Sequence, residues 1–183
     1  YTREEEFIAA RSRHPMRVRM KTGVKNDGTI TANAMYALSD TGAYGCHALT
    51  VAGNTGHKSM ALYVGDGAYR KSPNLRFHAD VVYTNTPPSG AYRGYGVPQG
   101  FWAVERHMET IARQLGLDPI AFRLKNAQDP GEVTPQGMHF KSCGLKECLT
   151  AAAEASGFLA KTKTNAAGRE KPGRFKRGIG IAS

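Results

Sequence analysis

The alternation of apolar and polar residues in the first half of the chain predicts β-strands. Apolar and basic residues alternate from Met16 to Lys21, Asn26-Asp27-Gly28 follows, and a second alternating segment runs from Ile30 to Leu38. Side chains two positions apart share one face of a strand, and Asp-Gly between two such segments is typical of a hairpin turn. A third alternating segment, from Leu75 to Thr84, predicts a strand that ends at Asn85-Thr-Pro-Pro88.

In the second half of the chain, apolar residues recur at intervals of three and four and predict helices. The first helix starts at Pro98 and stops at Gly116, and its apolar positions are Phe101, Val104, Met108, Ile111, Ala112 and Leu115. The second has Asp118 as its N-cap and Pro119 in its first turn, and it continues to about Lys125. The third follows Ser142, ends at Gly157, and is expected to bury Leu145, Cys148, Leu149 and Ala152.

Three segments lack a clear helical or strand period or are incomplete. Residues 39–59 are rich in glycine and serine and are interpreted as a loop, and residues 160–176 form a predicted polar loop. Arg177-Gly-Ile-Gly-Ile-Ala182 is interpreted as the beginning of a strand. The order of elements predicts an α+β fold with a mixed sheet, in which the hairpin packs against two or three helices. We expect residues 1–183 to form a single domain.

The chain carries a net charge of +10 and has a pI of about 9.7, which permits a nucleic-acid partner. Six of its cations near the start lie at strand spacing, which favours a solvated sheet face over a phosphate-binding stripe: Arg11, Arg13, Arg17, Arg19, Lys21 and Lys25. The sequence has no zinc-finger spacing or single-strand stacking motif. A nucleic-acid-binding module is therefore an alternative, as is a non-catalytic scaffold domain. No apolar run approaches the roughly 18 residues that a membrane span needs.

The cysteine and histidine residues give no sign of a metal site. The three cysteines are an odd number without a Cys-x-x-Cys pair, which argues against a disulfide framework and favours a reducing cytoplasm. Cys143 and Cys148 lie near His139, but Cys148 falls on the apolar stripe of the predicted third helix, so a buried thiol is the favoured interpretation. The six histidines are scattered and are interpreted as surface or core-edge residues.

The segment Gly90-Ala-Tyr-Arg-Gly-Tyr-Gly96 joins the third predicted strand to the first predicted helix. Backbone N–H groups and the positive end of a helix lie close together at such a junction, and both attract anions. Arg93 adds a planar set of donors that suits phosphate or a metal-bound oxygen. The spacing matches neither the dinucleotide-binding glycine motif nor the P-loop. An anion-binding loop and a purely structural turn both remain open on these grounds.

The longer motifs around this loop favour an anion-binding loop over a purely structural turn. The run Thr84-Asn-Thr-Pro-Pro-Ser-Gly-Ala-Tyr-Arg-Gly-Tyr-Gly-Val-Pro-Gln-Gly100 and the run Gly116-Leu-Asp-Pro-Ile-Ala-Phe-Arg-Leu-Lys-Asn126 resemble the molybdenum-cofactor-binding subunits of the xanthine dehydrogenase and aldehyde oxidase family. The resemblance extends to Arg13-His-Pro15 and Asp40-Thr-Gly-Ala-Tyr44. It covers nearly the whole chain and is weakest over residues 127–164.

The resemblance implies an oxidoreductase that uses molybdopterin with molybdenum to hydroxylate heterocycles or aldehydes with water. It further implies that iron–sulfur clusters and FAD lie on partner subunits or domains, and that the substrate is a small aromatic, heterocyclic or aldehyde compound. Tyr92, Arg93 and Gly94 match positions that contact the cofactor. Tyr95 matches a position where an aromatic ring stacks on flat substrates, and Gln99 lies near them.

The resemblance also implies what this chain does not contain. The family's upstream motif Gly-Gly-Phe-Gly-Gly-Lys does not occur, and its glutamate base is expected beyond residue 183. We therefore expect the chain to be part of a larger subunit, to contain no catalytic residue and to be inactive alone. Glu105 and Glu109 are interpreted as surface or packing-edge residues. Purine-oxidising members carry an arginine before an Ala-Leu pair where this chain has Met60, which argues against xanthine.

Overall fold

The structure is a computed structural model that describes residues 1–60, 74–134, 137–168, 174–175 and 177–183. These residues form six helices and three strands, in the order α1 Arg3–Ala9, β1 Met16–Val24, β2 Ile30–Asp40, α2 Ala48–Ser59, β3 Asn74–Val82, α3 Val97–Gln114, α4 Pro119–Asn126, α5 Leu145–Ser156 and α6 Phe158–Gly168. The predicted α+β class is confirmed. No described helix is both long enough and apolar enough to cross a membrane.

The strands form a mixed sheet in the order β1-β2-β3. β1 and β2 pair antiparallel as the predicted hairpin, with Arg19 opposite Tyr36, whereas β2 and β3 pair parallel. The basic side chains of Arg17, Arg19 and Lys21 are exposed and alternate with half-buried apolar residues. These three cations therefore lie on the solvated face of the sheet, as their spacing predicts.

The other face of the sheet packs on α2, α3 and α4. Its central cluster of buried residues comprises Ile30, Met35, Met60, Val104, Met108, Ile111, Ala112 and Phe122. Each large aliphatic or aromatic side chain in such a cluster contributes roughly 1.5–3 kcal/mol relative to an exposed position. Helix α3 supplies four of these eight residues, and helix α4 supplies one. Both helices were predicted from the sequence. This packing holds the segment before α3 against the rest of the domain.

An ion pair lies inside the contact between α3 and α4. The Arg123 side chain is fully buried, and its Nη2 lies 2.9 Å from Oε2 of Glu105, whose side chain is 8% exposed. Arg123 also donates to the backbone oxygens of Pro119 at 3.1 Å and Glu105 at 3.2 Å. The interpretation of Glu105 as a surface or edge residue is therefore wrong. The buried guanidinium needs a carboxylate, and nothing in the local helical pattern of Glu105 reveals that partner.

The predicted loop over residues 39–59 is wrong in its second half, which forms helix α2. Gly56 of this helix serves close packing rather than a turn. A Cβ at Gly56 would lie 2.3 Å from the Phe77 ring of β3, and a Cβ at Gly100 of α3 would lie 2.3 Å from the Thr55 backbone oxygen. α2 can therefore approach both β3 and α3 only because neither glycine position carries a side chain.

The C-terminal part differs from the prediction at several points. α5 ends at Gly157, which has a φ of 62°, as the sequence predicts. Cys148 is nevertheless exposed, and Leu149 is the buried residue of this helix. The predicted polar loop over residues 160–176 begins as helix α6, which extends to Gly168, while residues 169–173 and 176 lie outside the described residues.

The two ends of the described chain also depart from expectation. Residues 177–183 form no strand, because no described strand pairs with them, and they run beside α3. Helix α1 was not predicted, although its signal is present: Thr2 accepts from the Glu5 N–H and the Glu5 carboxylate accepts from the Thr2 N–H. Such a reciprocal capping pair is a sequence-level sign of a helix start.

Candidate functional site

The loop from Gly90 to Gly96 connects the segment after β3 to α3 and is built from two tight turns. The Tyr95 N–H donates to the Tyr92 carbonyl at 2.8 Å, and the Val97 N–H donates to the Gly94 carbonyl at 2.9 Å. Gly94 and Gly96 both have a φ of 92°, a left-handed backbone that favours glycine. A Cβ at Gly96 would also lie 2.1 Å from the Val51 carbonyl oxygen. The loop is therefore seated directly on α2.

Arg13 holds this loop from the segment before β1. Its Nη2 donates to the Arg93 carbonyl oxygen at 2.7 Å, and its guanidinium lies 4.6 Å from the centre of the Tyr92 ring. Its Nη1 lies 3.4 Å from Oε1 of Gln99, whose Nε2 donates to the His14 carbonyl at 3.2 Å. One side chain thus restrains two consecutive residues of the loop and the first turn of α3.

The outer surface of the loop offers hydrogen-bond donors. Tyr92, Arg93 and Gly94 are exposed, and the Arg93 side chain makes no hydrogen bond to another described residue. The backbone N–H groups of the exposed Arg93 and Gly94 also have no partner within the described part of the chain. Because these groups stand at the N-terminus of an 18-residue helix, the helix dipole adds to the positive charge of Arg93. The arrangement suits a ligand with anionic oxygens.

Tyr95 contacts His47, which precedes α2. The Tyr95 hydroxyl lies 2.5 Å from Nδ1 of His47, and the two rings meet edge to face with centroids 5.6 Å apart. Both residues have a left-handed backbone, with φ of 41° at Tyr95 and 58° at His47. Among the described residues they are the two non-glycine residues with positive φ. Such strain is held in place by surrounding contacts and is concentrated at functional sites.

His14 lies beneath the loop and is 1% exposed. Neither of its ring nitrogens has a hydrogen-bond partner among the described residues. Burial lowers the pKa of His14 below its ordinary value of 6.5, so the ring is neutral at pH 7. The interpretation of this histidine as a surface or core-edge residue is wrong, because His14 is enclosed beside Val51 of α2 and the Gly90–Gly96 loop.

The Gly90–Gly96 loop itself contains no carboxylate and no imidazole. No described carboxylate hydrogen-bonds to the Gly90–Gly96 loop. Asp40 is the nearby acidic residue that influences His14, and its Oδ1 accepts from the Gly42 N–H at 2.8 Å and the Thr84 hydroxyl at 2.7 Å. The described residues also contain no group of three His, Cys, Asp or Glu side chains that could hold a metal ion. The loop presents donors and cations to a ligand and supplies no base.

These features define a class: an α+β domain with a glycine-rich, donor-bearing loop at the start of a helix. The chain belongs to the molybdopterin cofactor-binding domain family, whose model matches residues 1–127. The match covers the sheet, α2, α3 and α4, and therefore includes the whole Gly90–Gly96 loop. The cofactor of this family, molybdopterin, is an anionic ligand of the kind that the loop suits.

Curated relatives belong to the same group. The chain is 37% identical over 182 residues to the putative xanthine dehydrogenase molybdenum-binding subunit XdhA of Escherichia coli. This alignment covers 99% of this chain and 23% of that subunit. It is 39% identical over 154 residues to the nicotinate dehydrogenase large molybdopterin subunit of Eubacterium barkeri, covering 84% of this chain and 35% of the relative. The chain thus spans about a quarter to a third of the length of these relatives.

Solved structures have the same fold. Aldehyde oxidoreductase from Desulfovibrio gigas superimposes with a TM-score of 0.70 at 30% identity, over 83% of this chain and 16% of that one. Quinoline 2-oxidoreductase from Pseudomonas putida superimposes with a TM-score of 0.77 at 26% identity, over 92% of this chain and 21% of that one. The fold of this chain is therefore one part of considerably larger polypeptides in both structures.

All four residues that the resemblance singles out, Tyr92 through Tyr95, lie on this one loop. Their assigned contacts with cofactor and substrate remain predictions. Among the residues that contact the loop, reasoning from the sequence did not single out Arg13 and His47. Arg13 belongs to the quoted Arg13-His-Pro15 segment, which offered a signal, whereas His47 lies in the segment interpreted as an aperiodic loop and offered none.

Proposed function

We propose that this chain forms one wall of the active site of a molybdenum hydroxylase, an oxidoreductase that hydroxylates heterocycles or aldehydes with oxygen from water. The observation that carries the proposal is the donor surface of the Gly90–Gly96 loop at the start of α3. The length of the relatives supports the further proposal that the chain is one part of a larger molybdenum subunit. We expect it to be inactive alone, because the loop lacks a base.

In this proposal the residues of the loop bind and orient the cofactor. The Arg93 side chain and the backbone N–H groups of Arg93 and Gly94 would donate to anionic oxygens of molybdopterin. Tyr92, held beneath the Arg13 guanidinium, closes one side of the loop. The bound cofactor supplies the redox-active molybdenum at which the substrate is hydroxylated.

The substrate is proposed to be a small aromatic, heterocyclic or aldehyde compound that stacks on Tyr95. Met60 is 4% exposed and packs in the core, which leaves no basic side chain at that position to meet a purine, and Ala61-Leu62 lie outside the described residues. We therefore favour substrates other than xanthine. Iron–sulfur clusters and FAD on partner subunits or domains are proposed to receive the electrons, and the cytoplasm is the proposed location.

The test is Arg93→Ala in the full-length subunit, with Arg76→Ala as the control. Arg76 is an exposed arginine on β3, away from the loop. Molybdenum per subunit is measured by elemental analysis and turnover by an artificial electron acceptor. We expect Arg93→Ala to lower both molybdenum content and rate, whereas Arg76→Ala changes neither. Equal metal content and rate in the Arg93 variant and the wild type would remove Arg93 from the site.

A further inference from the structure

We propose that His47 and Tyr95 together form a hydrogen-bond-donor subsite for an exocyclic acceptor oxygen, keto or carboxylate, on a planar aromatic ligand. The proposal rests on the proposed function, because it takes the ligand to be a flat molecule stacked on Tyr95. It adds a second residue, from a different segment of the chain, and it names the chemical group that this residue recognises.

The first argument is conformational. A left-handed backbone costs a non-glycine residue roughly 1 kcal/mol or more. In the described part of the chain, the two residues that bear this cost are the ones whose side chains meet each other. The Val51 N–H donates to the His47 carbonyl at 2.9 Å, and the Tyr95 N–H donates to the Tyr92 carbonyl. These bonds hold both backbones in the conformation that brings the hydroxyl and the imidazole together.

The second argument follows from counting protons in the pair. If the Tyr95 hydroxyl donates to Nδ1 of His47, a neutral imidazole carries its proton on Nε2, which is then a donor. If Nδ1 donates to the phenolic oxygen, the hydroxyl proton is available instead. A protonated imidazole leaves both the Nε2–H and the hydroxyl proton available. In every case the pair offers at least one further donor, which an acceptor oxygen of a ligand can receive.

The third argument is the position and charge of the pair. His47 is exposed and Tyr95 is half-buried, so the donor is accessible from solvent. The His47 ring stands edge to face at the hydroxyl end of the Tyr95 ring. A flat ligand stacked on Tyr95 would therefore direct a substituent of its edge toward His47. Because Arg93 stands on the same loop as Tyr95, Arg13 contacts that loop, and no described carboxylate bonds to it, a negatively charged acceptor fits better than a neutral one.

The probes are nicotinate and 3-methylpyridine, which share a ring and differ by a carboxylate in place of a methyl group. Dissociation constants are measured by titration calorimetry on the full-length, cofactor-loaded subunit. The variants are His47→Asn and His47→Gly, because asparagine and glycine both tolerate a positive φ. His57→Asn is the matched control, since His57 is an exposed histidine on helix α2, which His47 precedes, and it makes no contact with Tyr95.

We expect the wild type to bind nicotinate at least about tenfold more tightly than 3-methylpyridine, which is the factor that one hydrogen bond to a charged group supplies. Both His47 variants should reduce this ratio toward unity, and His57→Asn should preserve it. A wild-type ratio near unity, or an undiminished ratio in both His47 variants, overturns the proposal.

Molybdenum and pterin content, measured on the same samples, separates this inference from the proposed function. Loss of the nicotinate preference with the wild-type cofactor content supports the donor subsite. Retained preference with wild-type cofactor content overturns the subsite and leaves the cofactor-binding role intact. A wild-type subunit that never carries molybdopterin contradicts the proposed function and, with it, the subsite.

Discussion

Replacing Arg13 by methionine should weaken cofactor retention although Arg13 itself is not proposed to touch the cofactor. Methionine keeps an apolar stem of similar length but removes the guanidinium. The variant loses the 2.7 Å hydrogen bond to the Arg93 carbonyl and the contact with the Tyr92 ring at 4.6 Å. The long 3.4 Å contact with Gln99 adds little.

The magnitude can be worked from these two contacts. A hydrogen bond from a half-buried charged donor is worth about 1–1.5 kcal/mol, and a partly exposed cation–π contact about 0.5–1 kcal/mol. Their sum, about 2 kcal/mol, corresponds to roughly a thirtyfold loss in preference for the bound conformation of the loop. Cofactor affinity should fall by up to this factor, because only the competent conformation binds. Lysine at position 13 should restore part of the lost cofactor affinity, since its ammonium group still donates but lacks the planar guanidinium.

The assay is molybdenum and pterin per full-length subunit, followed over time during dialysis. Arg17→Met is the control, because Arg17 is an exposed arginine of β1 on the solvated face of the sheet. We expect Arg13→Met to lose cofactor several times faster than either the wild type or the control. If Arg13→Met retains cofactor as long as Arg17→Met does, the contacts of Arg13 with Arg93 and Tyr92 contribute nothing to binding and the reasoning is wrong.

Three further predictions concern the domain that carries the loop. Glu105→Gln should lower the free energy of unfolding in urea by roughly 1.5–3 kcal/mol, because it removes the carboxylate 2.9 Å from the buried Arg123 guanidinium and leaves the more distant Glu109 carboxylate, at 3.6 Å, beside it; a loss below about 1 kcal/mol would argue against a true ion pair. Gly100→Ala should lower the melting temperature, because the new Cβ would lie 2.3 Å from a backbone oxygen of α2; an unchanged temperature would show that α2 and α3 separate freely. Burial lowers the folded-state pKa of His14, so the unfolded chain binds the proton more readily, and stability should fall as the pH decreases below about 6.5. His14→Gln should reduce the dependence of stability on pH between about pH 7.5 and 5. The dependence due to His107 should remain, because burial also lowers the pKa of His107. An unaltered dependence would exclude His14 as its source.

The parts of the fold that follow from local patterns were predictable. The hairpin of β1 and β2 follows from residues that alternate in a short stretch, and α3 follows from apolar residues repeated every three or four positions. Helix α2 was not predictable in this way. Its Gly56 resembles a loop signal, and its actual role, close approach to Phe77 of β3, depends on residues 21 positions away.

The residues of the candidate site also divide into those that a local motif reveals and those that only the folded structure reveals. Arg93 and Tyr95 were found because they belong to one contiguous motif whose resemblance to a family is specific. Arg13 acts on Arg93 from 80 positions earlier in the chain, and His47 reaches Tyr95 across 48 positions. No spacing in the sequence encodes such contacts, because they arise only when the segment before β1 and the start of α2 are folded against the loop.

The central claim is that the Gly90–Gly96 loop holds molybdopterin, and an experimental structure of the full-length subunit with its cofactor bound tests it most directly. The account predicts that donors of Arg93 or Gly94 lie within hydrogen-bond distance, about 3 Å, of oxygens of the cofactor. It further predicts that the Tyr95 ring faces the space where substrate binds. A structure in which this loop is covered by another part of the subunit and remote from the cofactor would contradict the account and favour a scaffold role for the domain.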